Sequence, residues 1–331
     1  MKIKHRARSG GLRLASLLAV LVLSLSLLSG CGSGQTDKKE YTVVTTIFPI
    51  YDWVRQIVGE AEGVKIVLLE KSGADMHSYQ PTADDMVQIA GCDLFICVGG
   101  ESDVWVGNAL KSASNPKRKV ISLMENLGRA AREETPIEGV QAGKAAGADG
   151  EKEYDEHVWL SLRNAQRFCS DIREALAAMD PANRETYTAC AQSYQTKLQQ
   201  MDERFAAGVE PYKDRAFVFG DRFPFRYLMD DYGFRYYAAF SGCSAEVSAS
   251  FETVIFLAKK IDELGLRVIL QTENAPQGLA ETIRQNTAGK DQEILTLNSM
   301  QAVTEAEIAN GATYLEFMQS NISVLWQVLT K

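Results

Sequence analysis

Short apolar runs and longer amphipathic stretches alternate along this chain. Thr42–Ile47, Val64–Leu69, Asp93–Val98 and Lys119–Leu123 are brief, rich in Val, Ile and Leu, and bounded by turn residues, so they predict strands. Helical spacing separates them at Ile50–Val58, Thr82–Ala90 and Asp103–Ser112. The pattern then repeats. Strands are predicted at Ala216–Gly220, Arg235–Phe240, Arg267–Gln271 and Glu293–Leu297, with helices at Phe225–Asp231, Ser250–Leu264, Pro276–Ala288 and Glu305–Leu329. Strand and helix alternating in two blocks predicts an α/β fold of two lobes, each with a mostly parallel four-stranded sheet flanked by helices. Between the blocks, Tyr187, Ala191, Tyr194, Leu198, Met201 and Phe205 recur every three or four residues, one apolar stripe on a single helix over Pro181–Gly208. Asp180 and Pro181 suit its start. At 1.5 Å per residue such a helix is about 42 Å long, enough for a rigid strut joining the lobes.

The first thirty residues follow another rule. Lys2, Lys4, Arg6, Arg8 and Arg13 precede the apolar run Leu14–Leu28, which is short for a bilayer span but suits the core of an export signal. Small residues and a cysteine close it in Leu28-Ser29-Gly30-Cys31, which resembles a bacterial lipobox. The expected division is therefore a lipoprotein signal peptide at 1–30 and a tether at 31–40. A first lobe at 41–179, a linking helix at 180–210 and a second lobe at 211–331 follow. Lipidation at Cys31 places the mature protein outside the cytoplasm, anchored to the cell membrane. Within the first lobe, 129–155 holds Gly139, Gly143, Gly147 and Gly150 among Ala and acidic residues without apolar periodicity, and is expected to be a mobile acidic loop.

Removing the signal changes the charge. The chain has 35 Lys and Arg against 43 Asp and Glu; without the five basic residues of the signal the balance is 30 against 43, net −13. Such a surface repels nucleic acid and attracts cations. Five cysteines besides Cys31 remain, an odd number; Cys92 and Cys97, five apart on one strand, cannot pair with each other, while the compartment permits a bridge at Cys243.

Only His77 and His157 survive removal of the signal. Each lies in a loop just before a helix, beside acidic residues: Asp75-Met76-His77 and Asp155-Glu156-His157. Ligands in parallel α/β sheets bind beyond the carboxyl ends of the strands. His77 is at such an end, as are Asp221, after Ala216–Gly220, and Asn298, after Glu293–Leu297. No HExxH, GxSxG or phosphate-cradling loop is present, so nothing points to a hydrolase or another enzyme.

The segments Asp75–Asp85, Asp155–Leu160, Asp180–Phe205 and Tyr227–Gly233 resemble the zinc and manganese ABC-transporter solute-binding lipoproteins. That similarity runs from about Thr42 to Leu329. Its most specific motif is a histidine two residues before tyrosine and four before Pro-Thr, matched by His77. Next is a histidine two residues before Trp-Leu, matched by His157. The resemblance implies a monomeric receptor that binds one metal between the lobes, Zn2+ with Mn2+ as alternative, and delivers it to an ABC permease. It also implies two ligands per lobe: His77 and His157 from the first, and Asp221 and Asn298 from the second. The family's third ligand falls on Arg222 when counted back from Tyr227 and on Asp221 when counted from the strand; arginine cannot ligate. Asn298 stands where the family usually has a carboxylate, so Glu246, Glu273 and Cys243 are alternative donors. A surface lipoprotein or adhesin of the same fold with a degenerate metal site is the competing expectation.

Overall fold

A computed structural model describes residues 39–331 except 74, 112–113, 135–137, 139–152, 244–248 and 276–277. The export segment, Cys31, most of the tether, most of the acidic loop and Glu246 lie outside the described residues. Residues Glu40–Lys331 form one compact unit.

The first sheet contains β1 (Tyr41–Thr45), β2 (Val64–Leu68), β3 (Leu94–Cys97) and β4 (Lys119–Ser122) in the order β2-β1-β3-β4. All its pairings are parallel, with Val43 opposite both Ile66 and Leu94. The second repeats the plan. Strands β5 (Ala216–Phe223), β6 (Arg235–Ser241), β7 (Val268–Thr272) and β8 (Glu293–Leu297) are ordered β6-β5-β7-β8, again wholly parallel. In each lobe the order reverses beside the first strand, which opens a crevice at the strands' carboxyl ends.

Helices follow where caps and periodicity permit. Helix α1 (Phe48–Val58) has Pro49 in its first turn and buries Ile50, Trp53, Val54 and Ile57. Thr82 and Asp85 form a capping box at α2 (Ala83–Gly91). Short α3 (Val106–Lys111) and α4 (Leu123–Leu127) precede α5 (Leu162–Met179), which Ser161 caps. The linking helix α6 spans Arg184–Val209, 26 residues, after a single 3-10 turn at Pro181–Asn183. Tyr187, Ala191, Tyr194, Leu198 and Phe205 are buried along its stripe. Asp180 contributes through Tyr187 Oη, 2.7 Å away, and makes no side-chain cap.

The second lobe adds α7 (Arg226–Asp231), α8 (Phe251–Leu264) and α9 (Leu279–Gln285). The helix expected over Glu305–Leu329 is two, α10 (Glu305–Ala309) and α11 (Tyr314–Leu329). Gly311 adopts φ +90° between them, which the helix cannot continue through, and Thr313 starts a new capping box with Glu316. Helix α11 then packs on α1 of the first lobe: Phe317 meets Phe48 edge-on at 5.7 Å and Tyr314 meets Trp53 at 5.2 Å. Asp52, wholly buried, accepts from the Tyr314 N–H at 2.9 Å and from Arg55 at 2.6 Å, so its charge is compensated.

One apolar cluster therefore runs through both lobes, from Trp53 and Phe168 through Tyr187 and Leu198 to Phe217 and Tyr314. Two smaller clusters line the sheets, one around Val44, Ile89 and Phe95, the other around Val218, Ile261 and Ile269. A shared core resists a wide swing of one lobe on the other. Among the described residues no helix is long and apolar enough to cross a membrane.

Candidate metal centre

Both histidines are presented by the same local device. The carboxylate of Asp75 accepts the backbone N–H of His77 at 3.0 Å and starts a 3-10 turn at Met76–Ser78. The carboxylate of Asp155 does the same for His157 at 2.9 Å, before a turn at Val158–Leu160. An aspartate two residues ahead closes a short hydrogen-bonded turn and aims the following side chain outward from it. Anchors hold the loop that carries His157: Val158, Trp159 and Leu160 are fully buried, the Trp159 indole donates to Ser299 O at 2.8 Å, and Tyr227 Oη donates to Asp155 O at 2.9 Å.

The two rings meet. His77 Nε2 and His157 Nε2 are 3.2 Å apart, although 80 residues separate them in sequence. Each ring's other nitrogen is engaged. His157 Nδ1 faces Asp155 Oδ1 at 2.9 Å, and His77 Nδ1 faces Ser102 Oγ at 2.7 Å. Ser102 Oγ donates in turn to the Glu156 carboxylate. These partners put the Nδ1 protons outward and leave the Nε2 lone pairs aimed at one point. Without a cation there, nitrogens this close need a shared proton.

The two basicities differ in the sense that supplies it. Burial, with the neighbouring His157, pushes His77 down to about 4. Burial is also the largest influence on His157 and lowers it, but Asp155 at hydrogen-bond distance outweighs it and the net direction is up. His157 is thus the proton donor and His77 the acceptor.

A third ligand type joins them. Cys243 follows Ser241, the last residue of β6, and Gly242; its Sγ and the two ring nitrogens all lie within 4.8 Å of one another. Gly242 makes this approach possible: a Cβ there would stand 3.0 Å from His157 Nδ1 and Cε1 and 2.8 Å from Phe223 O. Cys243 is a free thiol. Burial, then Asp155, Glu134 and Glu156, push it well above the usual thiol range. Glu134 and Glu156 are themselves raised, chiefly by burial.

The second lobe's expected ligands have other contacts. Strand β5 continues three residues beyond Gly220, with a bulge in its pairing to β6 between Phe219 and Arg222. Asp221 lies within this extension, fully buried. One of its oxygens accepts from Thr272 N–H at 2.8 Å and from Thr272 Oγ1, while its other oxygen has no hydrogen-bond partner; it stands outside the His77, His157 and Cys243 group. Arg222, the next residue, turns the opposite way along the strand and pairs with Asp75 at 2.7 Å. Asn298 Oδ1 accepts the Met300 N–H at 2.8 Å, holding a turn in which Met300 has φ +60°. Glu273 is taken up by Ser299, whose N–H and Oγ donate at 2.8 and 2.7 Å. What remains between these groups is a cavity of about 10 Å³ lined by Asp75, Arg222, Gly242, Thr272, Glu273 and Gln301 among others.

The family model described as "Zinc-uptake complex component A periplasmic" matches residues 43–328. Zinc-binding lipoprotein AdcA of Streptococcus pneumoniae (strain R6) is 28% identical over 316 residues; the match covers 94% of this chain and 60% of that protein, so the chain spans less than two thirds of that relative. High-affinity zinc uptake system protein ZnuA of Bacillus subtilis (strain 168) is 26% identical over 314 residues, covering 93% of this chain and 95% of that one. Among solved structures, the Zn(II)-bound ZnuA-like domain of Streptococcus pneumoniae AdcA superposes with a TM-score of 0.69 at 28% identity, covering 88% of this chain and 100% of that domain. The metal-dependent lipoprotein YcdH from Bacillus subtilis gives 0.71 at 25% identity, over 88% of this chain and 100% of that one.

Proposed function

The chain belongs to the zinc-uptake complex component A family, and on that premise we propose that it is an extracytoplasmic receptor for a divalent transition metal, with His77 and His157 as ligands and zinc as the favoured cargo. Manganese is the alternative. The observation that carries this reading is the 3.2 Å separation of the two Nε2 atoms. Two Zn–N bonds of about 2.05 Å at a tetrahedral angle put their nitrogens about 3.3 Å apart. The rings therefore already stand close to the bite of a zinc ion.

Capture is an exchange of protons for metal. A cation entering between the rings displaces the proton that His157 shares with His77, and the adjoining acidic groups compensate its charge. Affinity therefore falls as pH falls, because the more basic ring regains its proton. A cavity of about 290 Å³ lined by Glu101, Glu125, Glu153 and Glu156 lies beside this site and supports an electrostatic approach path for cations. The apolar cluster common to both lobes favours small movements of the ligand-bearing loops over a wide hinge. The loaded receptor is a monomer that docks on an ABC permease, held at the membrane through lipid on Cys31.

The test is zinc titration of chelator-stripped protein, read by native mass spectrometry and competition with a chromogenic chelator. Wild type should take up one zinc. His77→Ala and His157→Ala should each lose more than about 100-fold in affinity, beyond the loss usual for residues that only orient a ligand. A wild-type protein that holds no zinc at micromolar metal sinks the receptor reading and leaves the adhesin-like alternative.

A further inference from the structure

We propose that the thiolate of Cys243 is the third protein ligand, giving a two-imidazole, one-sulfur site that selects thiophilic cations such as zinc and cadmium over manganese. This rests on the metal-capture reading and goes further, since it names the donor that decides which metal is taken.

Three observations carry it. Among the described residues, Cys243 Sγ is the side-chain donor grouped with both ring nitrogens within 4.8 Å. Gly242 lets the backbone before it come against the His157 ring, where any side chain would meet Phe223 O and the imidazole. The neighbouring carboxylates have other partners: Asp75 has Arg222, Asp155 has His157, Glu156 has Ser102, Glu273 has Ser299 and Glu134 accepts the Cys243 N–H at 3.5 Å, while Asp221, bonded to Thr272, lies outside the group. Sulfur is thus the anionic donor left facing the two imidazoles.

The chemistry follows from softness. Thiolate favours zinc and softer ions, whereas manganese prefers oxygen donors. On binding, the proton shared by the two rings and the thiol proton both leave to solvent as the metal–nitrogen and metal–sulfur bonds form, so the site's charge is unchanged where an all-neutral donor set would raise it by one unit. Arg222, fixed on Asp75 from the second lobe, adds positive charge on that side and makes an anionic ligand at Cys243 the more valuable.

The experiment uses the full chain stripped of metal, with Co(II), Zn(II), Cd(II) and Mn(II) as probes, and Cys243→Ser and Cys243→Ala as variants. Wild type with Co(II) should show an intense sulfur-to-metal charge-transfer band in the near ultraviolet, absent in both variants. Zn(II) and Cd(II) affinity should fall more than about 100-fold in the variants and Mn(II) affinity by less than about fivefold. Unfolding midpoints of stripped wild type and variants are read alongside, so that a folding defect is not mistaken for ligand loss. Should wild type bind zinc through the histidines while its Co(II) complex lacks the sulfur band, or should Cys243→Ser titrate as wild type, the thiolate assignment is overturned and the receptor reading stands. Should wild type bind none of the four ions, both fall.

Discussion

Gly242→Ala adds one methyl group and removes no donor, so it tests how the site is assembled. The new Cβ would stand 2.8 Å from Phe223 O and 3.0 Å from Cε1 and Nδ1 of His157. Carbon atoms rest at about 3.5 Å or more, so each contact is short by about half an ångström or more. Neither neighbour yields cheaply. Phe223 is backbone of β5, in register with Ser241 of β6. The His157 ring is wholly buried, held by Asp155 on one side with the Trp159 ring 5.2 Å away. Overpacking of this kind costs about 1–3 kcal/mol. Relief by moving the ring lengthens the Asp155 hydrogen bond and turns Nε2 from its partner; loss of such an orienting contact weakens metal binding about 10–100-fold. Gly220→Ala is the control. Its Cβ would meet Ala280 Cα at 2.8 Å and Ile269 Cγ2 at 3.2 Å, a comparable clash within the second lobe's own apolar cluster. Denaturant unfolding of stripped protein and zinc competition titration are run on both. We expect both variants to lose about 1–3 kcal/mol and only Gly242→Ala to lose zinc affinity. Equal zinc affinity in the two variants would refute the claim that close approach at Gly242 sets the His157 geometry, and unchanged stability in both would refute the steric argument itself.

Two further outcomes follow from buried carboxylates. Asp221→Asn should leave zinc affinity within about threefold of wild type while costing about 1–3 kcal/mol of stability, because it alters a buried acceptor bonded to Thr272; a 100-fold loss in the zinc titration would make Asp221 a ligand. Glu70 is buried with one oxygen lacking a partner, and burial, followed by Asp103 and Asp75, raises its carboxyl well above the usual range. The folded chain therefore keeps this proton where the unfolded chain has lost it. The stabilising contribution is complete below about pH 4.3 and is lost as pH rises through the raised value. Glu70→Gln should accordingly be more stable than wild type by about 1–3 kcal/mol at pH 8, with the gap closing toward pH 4, read by denaturant unfolding at both; a less stable variant at pH 8 contradicts this.

Much of the architecture was legible along the chain. Eight strand positions and the linking helix follow from local periodicity, since β-branched runs and three-and-four spacing need no knowledge of distant neighbours. Even so, the break at Gly311 was missed: Ala312 and Leu315 keep the apolar pattern going, and only a residue with positive φ interrupts it. His77 and His157 were legible as candidates because each lies in a loop just before a helix with acidic residues beside it, and His77 also follows the carboxyl end of a strand.

The second lobe's contribution was not legible in that way. Counting from Gly220 assumes that β5 stops there, but pairing with β6 carries it to Phe223 through a bulge, and alternation along that extension sends Asp221 inward to Thr272 and Arg222 outward to Asp75. Register and bulges are properties of two strands together, so neither strand's sequence specifies them. Cys243 stood in the sequence as one of three alternative donors, with no motif to set it above Glu246 and Glu273. Its place beside two imidazoles depends on a missing Cβ at Gly242 and a ring 85 residues away in the chain, a steric fact that arises once both lobes share one core. Local pattern determined the elements and two candidate donors; the packing of β5 against β6 and of Gly242 against His157 decided which other side chains face them, because close approach depends on distance in space and not on separation in sequence.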